Sequence, residues 1–354
     1  MKPPRKIADV LDTIRPESDL PELDAPTYLP LWDGPKVMLA VQNMKRHMSD
    51  EGWQLAQSLE FSGYKLAGRG LEHNETNTLD ILRRYDPSVV VVQDKREWHL
   101  SGPRDFRDPT AYFHHTDALK ARPNIFRVTV LKDSHQRPAY HREAAQEIGC
   151  HAWITYYHPR IVKRLATYIR ERHLIRTYHS LEPSLVPEYT SKRRHGAILS
   201  GAISAKVYPL RYRLRAQAPL LPDFDYLAHP GYHNHGCATP EYLRHLSRFK
   251  VAVCTSSIYG YALRKLIEAT ACGCIVVTDL PTDDILPYID GNLVRVHPDI
   301  EAREMAELLN RLYADYNGAR QHGFARLAKS YYDWRQVGLR LALAIEQLRK
   351  EYVK

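Results

Sequence analysis

Residues 251–280, VAVCTSSIYGYALRKLIEATACGCIVVTDL, constrain the fold more than any other stretch. Val251–Cys254 are apolar and mostly β-branched, the pattern of a buried strand. Tyr259-Gly260 marks a turn. Ala262 to Cys272 places Leu263, Leu266, Ile267 and Ala271 on one helical face. Gly273 suits a left-handed helix stop, and Cys274 to Thr278 is a second buried strand. The other helix face carries Arg264, Lys265 and Glu268 near its N-terminal end, where the turn and open backbone N–H groups can meet a phosphate. Arg264 and Glu268 stand four apart, which is also the spacing of a routine surface ion pair. A strand–turn–helix–strand of this kind belongs to a parallel sheet with ligands at the carboxyl ends of its strands.

The rest of the chain repeats the alternation. Strands are expected at VMLAV (37–41), Tyr64–Ala67, VVVV (89–92), IFRVTVL (125–131) and HAWITY (151–156). Helices are expected at Glu51–Phe61, Asn77–Tyr85, Ala139–Ile148 and Arg160–Arg170, with Thr76 or Asn77 as a cap. A polar, basic stretch, 188–196, reads as a linker. A second series of strands follows at 197–203, 225–229, 249–254, 274–278 and 293–297, and helices fill the tail, the last from Trp334 to Tyr352. A chain of 354 residues fits two such domains. The boundaries expected are an N-terminal extension at 1–34, one parallel-sheet domain at 35–190, another at 191–330 and a closing helix at 331–354. Five cysteines, mostly in apolar runs, read as reduced core residues. No apolar run reaches membrane-span length, and the start MKPPRKIADVL lacks a signal-peptide core, so the cytoplasm is the expected compartment. The net charge of +9 favours polyanionic partners, but it is spread along the chain and selects none of them.

The run 251–280 resembles the donor-binding segment of retaining GT-B glycosyltransferases, the group 1 sugar transferases. Lys265, Glu268-Ala269-Thr270-Ala271-Cys272-Gly273 and Val276-Val277-Thr278-Asp279 match its K/R, E-A-x-A-x-G and V-V-x-T/S-D pattern. The resemblance covers residues 196–330 well, and the first domain only in order and spacing. It implies a fold of two Rossmann-like domains facing a cleft, with the last helix crossing back. It implies that Glu268 holds the ribose of a nucleotide-sugar, a UDP-sugar by preference, and that transfer retains configuration. One departure concerns the sugar itself. Many members carry a Glu eight positions before Glu268, where this chain has Gly260.

Other candidates follow from strand ends. After the first strand of the second domain, Gly201 allows close backbone approach, and Lys206 and Arg211 lie within reach of a diphosphate. The family's Arg directly after that glycine is Ala202 here, so Lys206 or Arg211 must serve with Arg264 and Lys265; otherwise both are surface cations. His229 or Tyr232 would stack on the base, with Tyr259 and Gly260 near base or sugar. His233, His235 and Cys237 lack a recognised metal-ligand spacing, and no metal or other cofactor is expected beyond the co-substrate. In the first domain Asp133, His135 and Asp94 are the candidates for contact with acceptor or sugar hydroxyls, each equally suited to cap a helix. Tyr178-His179-Ser180 resembles the family's hinge.

The acceptor is not written in these motifs. A glycan, a lipid-linked sugar and DNA bearing hydroxymethylated pyrimidines all fit. Two other classes share the architecture: a nucleotide-sugar epimerase, whose acid/base motifs are not visible, and a non-catalytic nucleotide- or nucleic-acid-binding protein.

Overall fold

The computed structural model describes residues 34–40, 51–68, 71, 75–93, 113–135, 138–190, 192, 195–229 and 238–352. They fall into two units, one drawn from Ala25–Ser180 and Trp334–Lys354, the other chiefly from Leu181–Gly231 and Ala238–Asp333. Each is built on one wholly parallel sheet.

The first unit has six strands: β1 (Lys36–Leu39), β2 (Lys65–Ala67), β3 (Val89–Val92), β4 (Phe126–Val130), β5 (Ala152–Thr155) and β6 (Leu174–Arg176), in the order β2-β1-β3-β4-β5-β6. Its helices are α1 (Glu51–Phe61), α2 (Thr78–Tyr85), α3 (Pro138–Ile148) and α4 (Pro159–Leu165). β1, β3 and β5 are buried along their whole length, as solid apolar strands covered on both faces must be. Asn77 caps α2, its Oδ1 accepting from the Leu79 amide at 3.0 Å. α4 stops five residues short of the expected Arg170, because Ala166 leaves helical geometry at φ −125°, ψ 70°. β6 was not among the strands expected from the sequence. It is three residues long, Leu-Ile-Arg, and follows a basic run, so no alternation exposes it.

The second unit has β7 (His195–Ser200), β8 (Phe224–Leu227), β9 (Phe249–Val253), β10 (Ile275–Thr278) and β11 (Leu293–Arg295), in the order β11-β10-β9-β7-β8. Its helices are α5 (Pro209–Ala216), α6 (Thr239–Leu246), α7 (Arg264–Ala271), α8 (Ala302–Ala314) and α9 (Gly318–Tyr331). Leu199, Leu210, Val251, Val277, Met305 and Leu309 belong to its core. β7 ends at Ser200 rather than at Ile203. Gly201 takes φ +109° and turns the chain out of the sheet. α7 ends in a Schellman motif: the Gly273 amide donates to Thr270 O at 2.8 Å and the Cys274 amide to Ala269 O at 2.9 Å. The four described cysteines, Cys150, Cys254, Cys272 and Cys274, are free thiols.

The last helix, α10 (Trp334–Tyr352), belongs to the first unit and packs on α1. The contact is made possible by Gly338, where a Cβ would lie 2.1 Å from the Ser58 carbonyl oxygen. Gly338→Ala should therefore lower stability by about 2 kcal/mol in chemical denaturation, since backbone cannot yield to the methyl. The gain of up to ~1 kcal/mol in helix propensity offsets only part of this. An unchanged midpoint would show that the helices do not meet here. Among the described residues no helix is long and apolar enough to cross a membrane.

Candidate functional site

The second unit's strand order is 2-1-3-4-5 when its strands are counted in chain order. The connections leaving β7 and β8 run toward opposite edges of the sheet, so the ends of β7 and β9 are the switch point at which ligands bind in open α/β sheets. The residues beyond those two ends are Gly201 and the buried polar run Thr255-Ser256-Ser257. Asp279 follows the neighbouring strand, β10.

Two cations converge at Gly201. A Cβ built there would lie 2.2 Å from Lys265 Nζ and 2.9 Å from Arg211 Nη1. Glycine is required by the φ of +109°, which side-chain-bearing residues rarely adopt, and its missing side chain leaves room for the two charged groups. Lys265 reaches from the first turn of α7, donating to Ser200 O at 2.9 Å and to Ser200 Oγ at 3.4 Å. Ser200 Oγ also meets the Tyr242 hydroxyl at 2.9 Å. Arg211, on α5, is 2% exposed and bridges the switch point: Nε donates to Thr255 Oγ1 at 3.0 Å, Nη2 to Thr255 O at 3.1 Å and Nη1 to Ala202 O at 3.1 Å. Tyr208 lies under its guanidinium at 4.0 Å.

The electrostatics follow from this crowding. Burial first, and Arg211 second, push the Lys265 ammonium down to about 8. Burial holds Arg211 below its usual range, although a guanidinium keeps its proton in proteins. Burial drives Cys254 up to about 12 and Tyr242 well above the ordinary tyrosine range. Asp279 is raised, again by burial, against the opposing hydrogen bond from the Ser256 amide to its Oδ1. Both cationic ends lie within 3 Å of one point, and like charges that close repel by roughly 3–4 kcal/mol at an effective dielectric of 20. An anion seated over Gly201 would reverse the sign of that term.

Arg264 and Glu268 form the expected pair at 3.1 Å, but it is not a surface pair: their side chains are 9% and 7% exposed. α7 is buried almost all round, against β10, α6 and α9, rather than on one face. Lys206 is exposed, whereas Arg211 is buried. Tyr259 is half-buried and stacks on Tyr261 at 5.6 Å. Gly260 takes φ +73°, with its amide donating to Ser257 O at 2.8 Å. A glutamate at 260 would cost ~1–2 kcal/mol in backbone strain alone, so this loop is built for glycine. His229 is half-buried just beyond β8, whose Tyr226 hydroxyl donates to Gly201 O at 2.9 Å. Tyr232, His233, His235 and Cys237 lie outside the described residues, as does Asp94.

In the first unit, Asp133 and His135 follow β4 and are half-buried. Asp133 Oδ1 accepts from the Tyr157 hydroxyl, beyond β5, at 2.9 Å. His179 stacks on Tyr156 with ring centroids 4.5 Å apart, and Ser180 Oγ donates to Gln54 Oε1 at 2.9 Å.

Sequence reasoning assigned no role to Thr255, Ser200, Tyr242 or Tyr208. The available signal was the polar triplet Thr255-Ser256-Ser257 directly after an apolar strand. In open α/β sheets ligands bind outside the carboxyl ends of the strands, which is where this triplet stands.

No family model matches the chain, and no curated protein is significantly similar to it in sequence. Solved structures are similar in fold. A glycosyltransferase from Rickettsia africae superposes with a TM-score of 0.54 at 11% identity, over 91% of this chain and all of that one. Sucrose-phosphate synthase from Thermosynechococcus elongatus gives 0.54 at 11%, over 90% of this chain and 100% of its own. Anabaena HepE, solved in complex with UDP and glucose, gives 0.53 at 10%, over 89% and 100%. Two parallel Rossmann-like sheets, a final helix returned to the first unit, and these likenesses together establish that the chain has the GT-B glycosyltransferase fold.

Proposed function

We propose that this protein is a glycosyltransferase that takes a sugar from a nucleotide-sugar, a UDP-sugar by preference, and retains its configuration. The observation that carries the reading is the pair Lys265 and Arg211 held against Gly201 at the β7/β9 switch point. A diphosphate is the ligand such a pair suits. It neutralises both cations, and in transfer it is the leaving group, whose growing charge the same cations stabilise. Two fixed cations supply this stabilisation from the chain itself, so the proposal includes no metal. Glu268 serves the ribose and His229 or Tyr232 the base. Asp133 and His135 face the acceptor, and Asp94 is kept as a further candidate. The acceptor is a glycan, a lipid-linked sugar or modified DNA. The compartment proposed is the cytoplasm.

The first test is a thermal-shift series with nucleoside diphosphates and their sugars on the full chain, because a ligand that binds only the folded state raises its melting point. Its pH dependence is specific. Lys265, with its proton leaving at about 8, is surrounded by Arg211, which stays charged, and by Cys254 and Tyr242, which stay neutral. A bound diphosphate raises the Lys265 value, so binding above pH 8 takes up a proton. UDP affinity should be level from pH 7 to 8 and then fall by up to ~10-fold per pH unit. Calorimetry in buffers of different ionisation heat reads the proton directly. A flat profile to pH 10 would remove Lys265 from the site.

A further inference from the structure

We propose that Ser200 and Tyr242 are positioning residues, which hold the Lys265 ammonium charged and fixed beside Gly201 for the donor diphosphate. The inference rests on the reading of Lys265 as a diphosphate contact, and it assigns a role to two residues outside the 251–280 run.

Ser200 is the last residue of β7, and Tyr242 stands in the first turn of α6. Lys265 Nζ donates to Ser200 O at 2.9 Å and, at a longer 3.4 Å, to Ser200 Oγ. Ser200 Oγ and the Tyr242 hydroxyl share a hydrogen bond at 2.9 Å. The Tyr242 ring also faces the ammonium, with its centroid 5.9 Å from Nζ. That is within reach of a cation–π attraction. α6 itself is tied to its neighbours: Cys272 Sγ donates to Leu243 O at 3.4 Å, and Cys274 Sγ to Leu246 O at 3.3 Å.

Two features separate positioning from packing. The first is the charge of the groups in contact. A carbonyl, a hydroxyl and a ring are all uncharged, and the carboxylate of Glu268 is engaged with Arg264 at 3.1 Å. A lysine enclosed for the sake of the fold is commonly paired with a carboxylate. Lys265 is held without being neutralised, and it stays half-buried, open to an anion. The second is the partner of Tyr242. In the same unit Tyr226, Tyr313, Tyr316 and Tyr332 donate to the backbone carbonyls of Gly201, Pro222, Gly273 and Pro287, which need no orienting. Tyr242 pairs instead with a side-chain hydroxyl, which can turn among several staggered positions. Their bond selects the position in which Oγ meets the ammonium.

The groups around Lys265 set the sign of the effect. Arg211, from α5, is charged and opposes the ammonium. Cys254, after β9, and Tyr242, from α6, are neutral. Glu268, later in α7, favours the ammonium. An acceptor hydroxyl also favours the charged form. Without it the proton leaves at lower pH.

The test is an NMR titration of isotope-labelled lysine in the full chain without ligand, with Lys265→Met assigning the signal, beside calorimetry with UDP. Wild type should titrate at about 8. Ser200→Ala and Tyr242→Phe should each titrate lower, Ser200→Ala by more, because it deletes the acceptor itself. Tyr242→Phe keeps the ring, so the hydroxyl is what this variant reads. Each should bind UDP roughly 3- to 10-fold more weakly at neutral pH, the range of one hydrogen bond. Residues that only packed would lower the melting point and leave Lys265 titrating where it does in wild type. That result in both variants overturns the proposal, and if wild type binds UDP the transfer reading still stands. Lowered titrations in a protein that binds no nucleoside diphosphate would uphold the hold on Lys265 and refute the transfer reading instead.

Discussion

Lys265→Met should weaken UDP binding by about 100-fold or more while making the free protein more stable. Both effects follow from one geometry. In the free protein the ammonium is crowded against Arg211 and partly removed from water, and its proton leaves at about 8. In the unfolded chain a lysine keeps its proton to ~10.4. The folded state therefore disfavours the charged form. The cost is fully present below pH 8, and it is relieved as pH rises from 8 toward 10.4, because over that window the unfolded chain binds the extra proton. Methionine keeps the length and the apolar stem and removes the charge. The lost hydrogen bond to Ser200 O offsets part of the gain. A net stabilisation on the order of 1 kcal/mol remains, or ~2–4 °C in melting point for a domain of this size. Affinity moves the other way. Truncating one partner of a desolvated, hydrogen-bonded charge pair costs ~2–5 kcal/mol, and each 1.4 kcal/mol is tenfold. A cation that served only to hold β7 to α7 would give the reverse signature, a lower melting point with UDP affinity intact. Denaturation and calorimetry on the same variant separate the two.

The sequence reading put Gly201, Arg211 and Lys265 near neighbouring strand ends, where the structure brings them together, and missed how the cluster is assembled. The run 251–280 was legible because its information is local. A β-branched strand, a turn dipeptide, a helix and a glycine stop all follow from neighbours along the chain, and the Schellman hydrogen bonds at Gly273 and Cys274 agree. Arg211 was ambiguous because what distinguishes it from Lys206 is a partner far along the chain: Thr255 receives two of its hydrogen bonds. Spacing can put a cation near a strand end. It cannot say that one guanidinium is buried while a lysine five residues earlier is exposed. The same limit applies to Arg264 and Glu268. Their i,i+4 spacing specified the pair, but α6, α9 and β10, which close over it, come from other parts of the chain. Gly260 was read as a missing carboxylate. The positive φ there shows a loop whose backbone calls for glycine, so this position departs from the resembled pattern in shape as well as in chemistry.

That burial sets the second large effect, at Glu268. Glu268→Ala should destabilise the fold by about 3–5 kcal/mol, because it leaves the Arg264 guanidinium charged, enclosed and without the carboxylate 3.1 Å away. Loss of binding in this variant alone would say nothing about the ribose. The double variant Arg264→Leu/Glu268→Leu removes both charges and fills the space with hydrocarbon, which is commonly neutral or stabilising for a buried pair. It should recover the wild-type denaturation midpoint. If Glu268 also accepts from the ribose hydroxyls, the recovered protein still lacks an ionised acceptor worth ~1.5–3 kcal/mol, and UDP binds it ~10- to 100-fold more weakly than wild type. Arg264→Leu/Glu268→Leu protein that is stable and binds UDP with full affinity would assign Glu268 to the fold alone. There is a further check in the titration. Glu268 is one of the groups that hold the Lys265 proton in place. Removing it should move the onset of the pH-dependent loss of affinity below 8, toward neutral, in whatever binding the double variant retains.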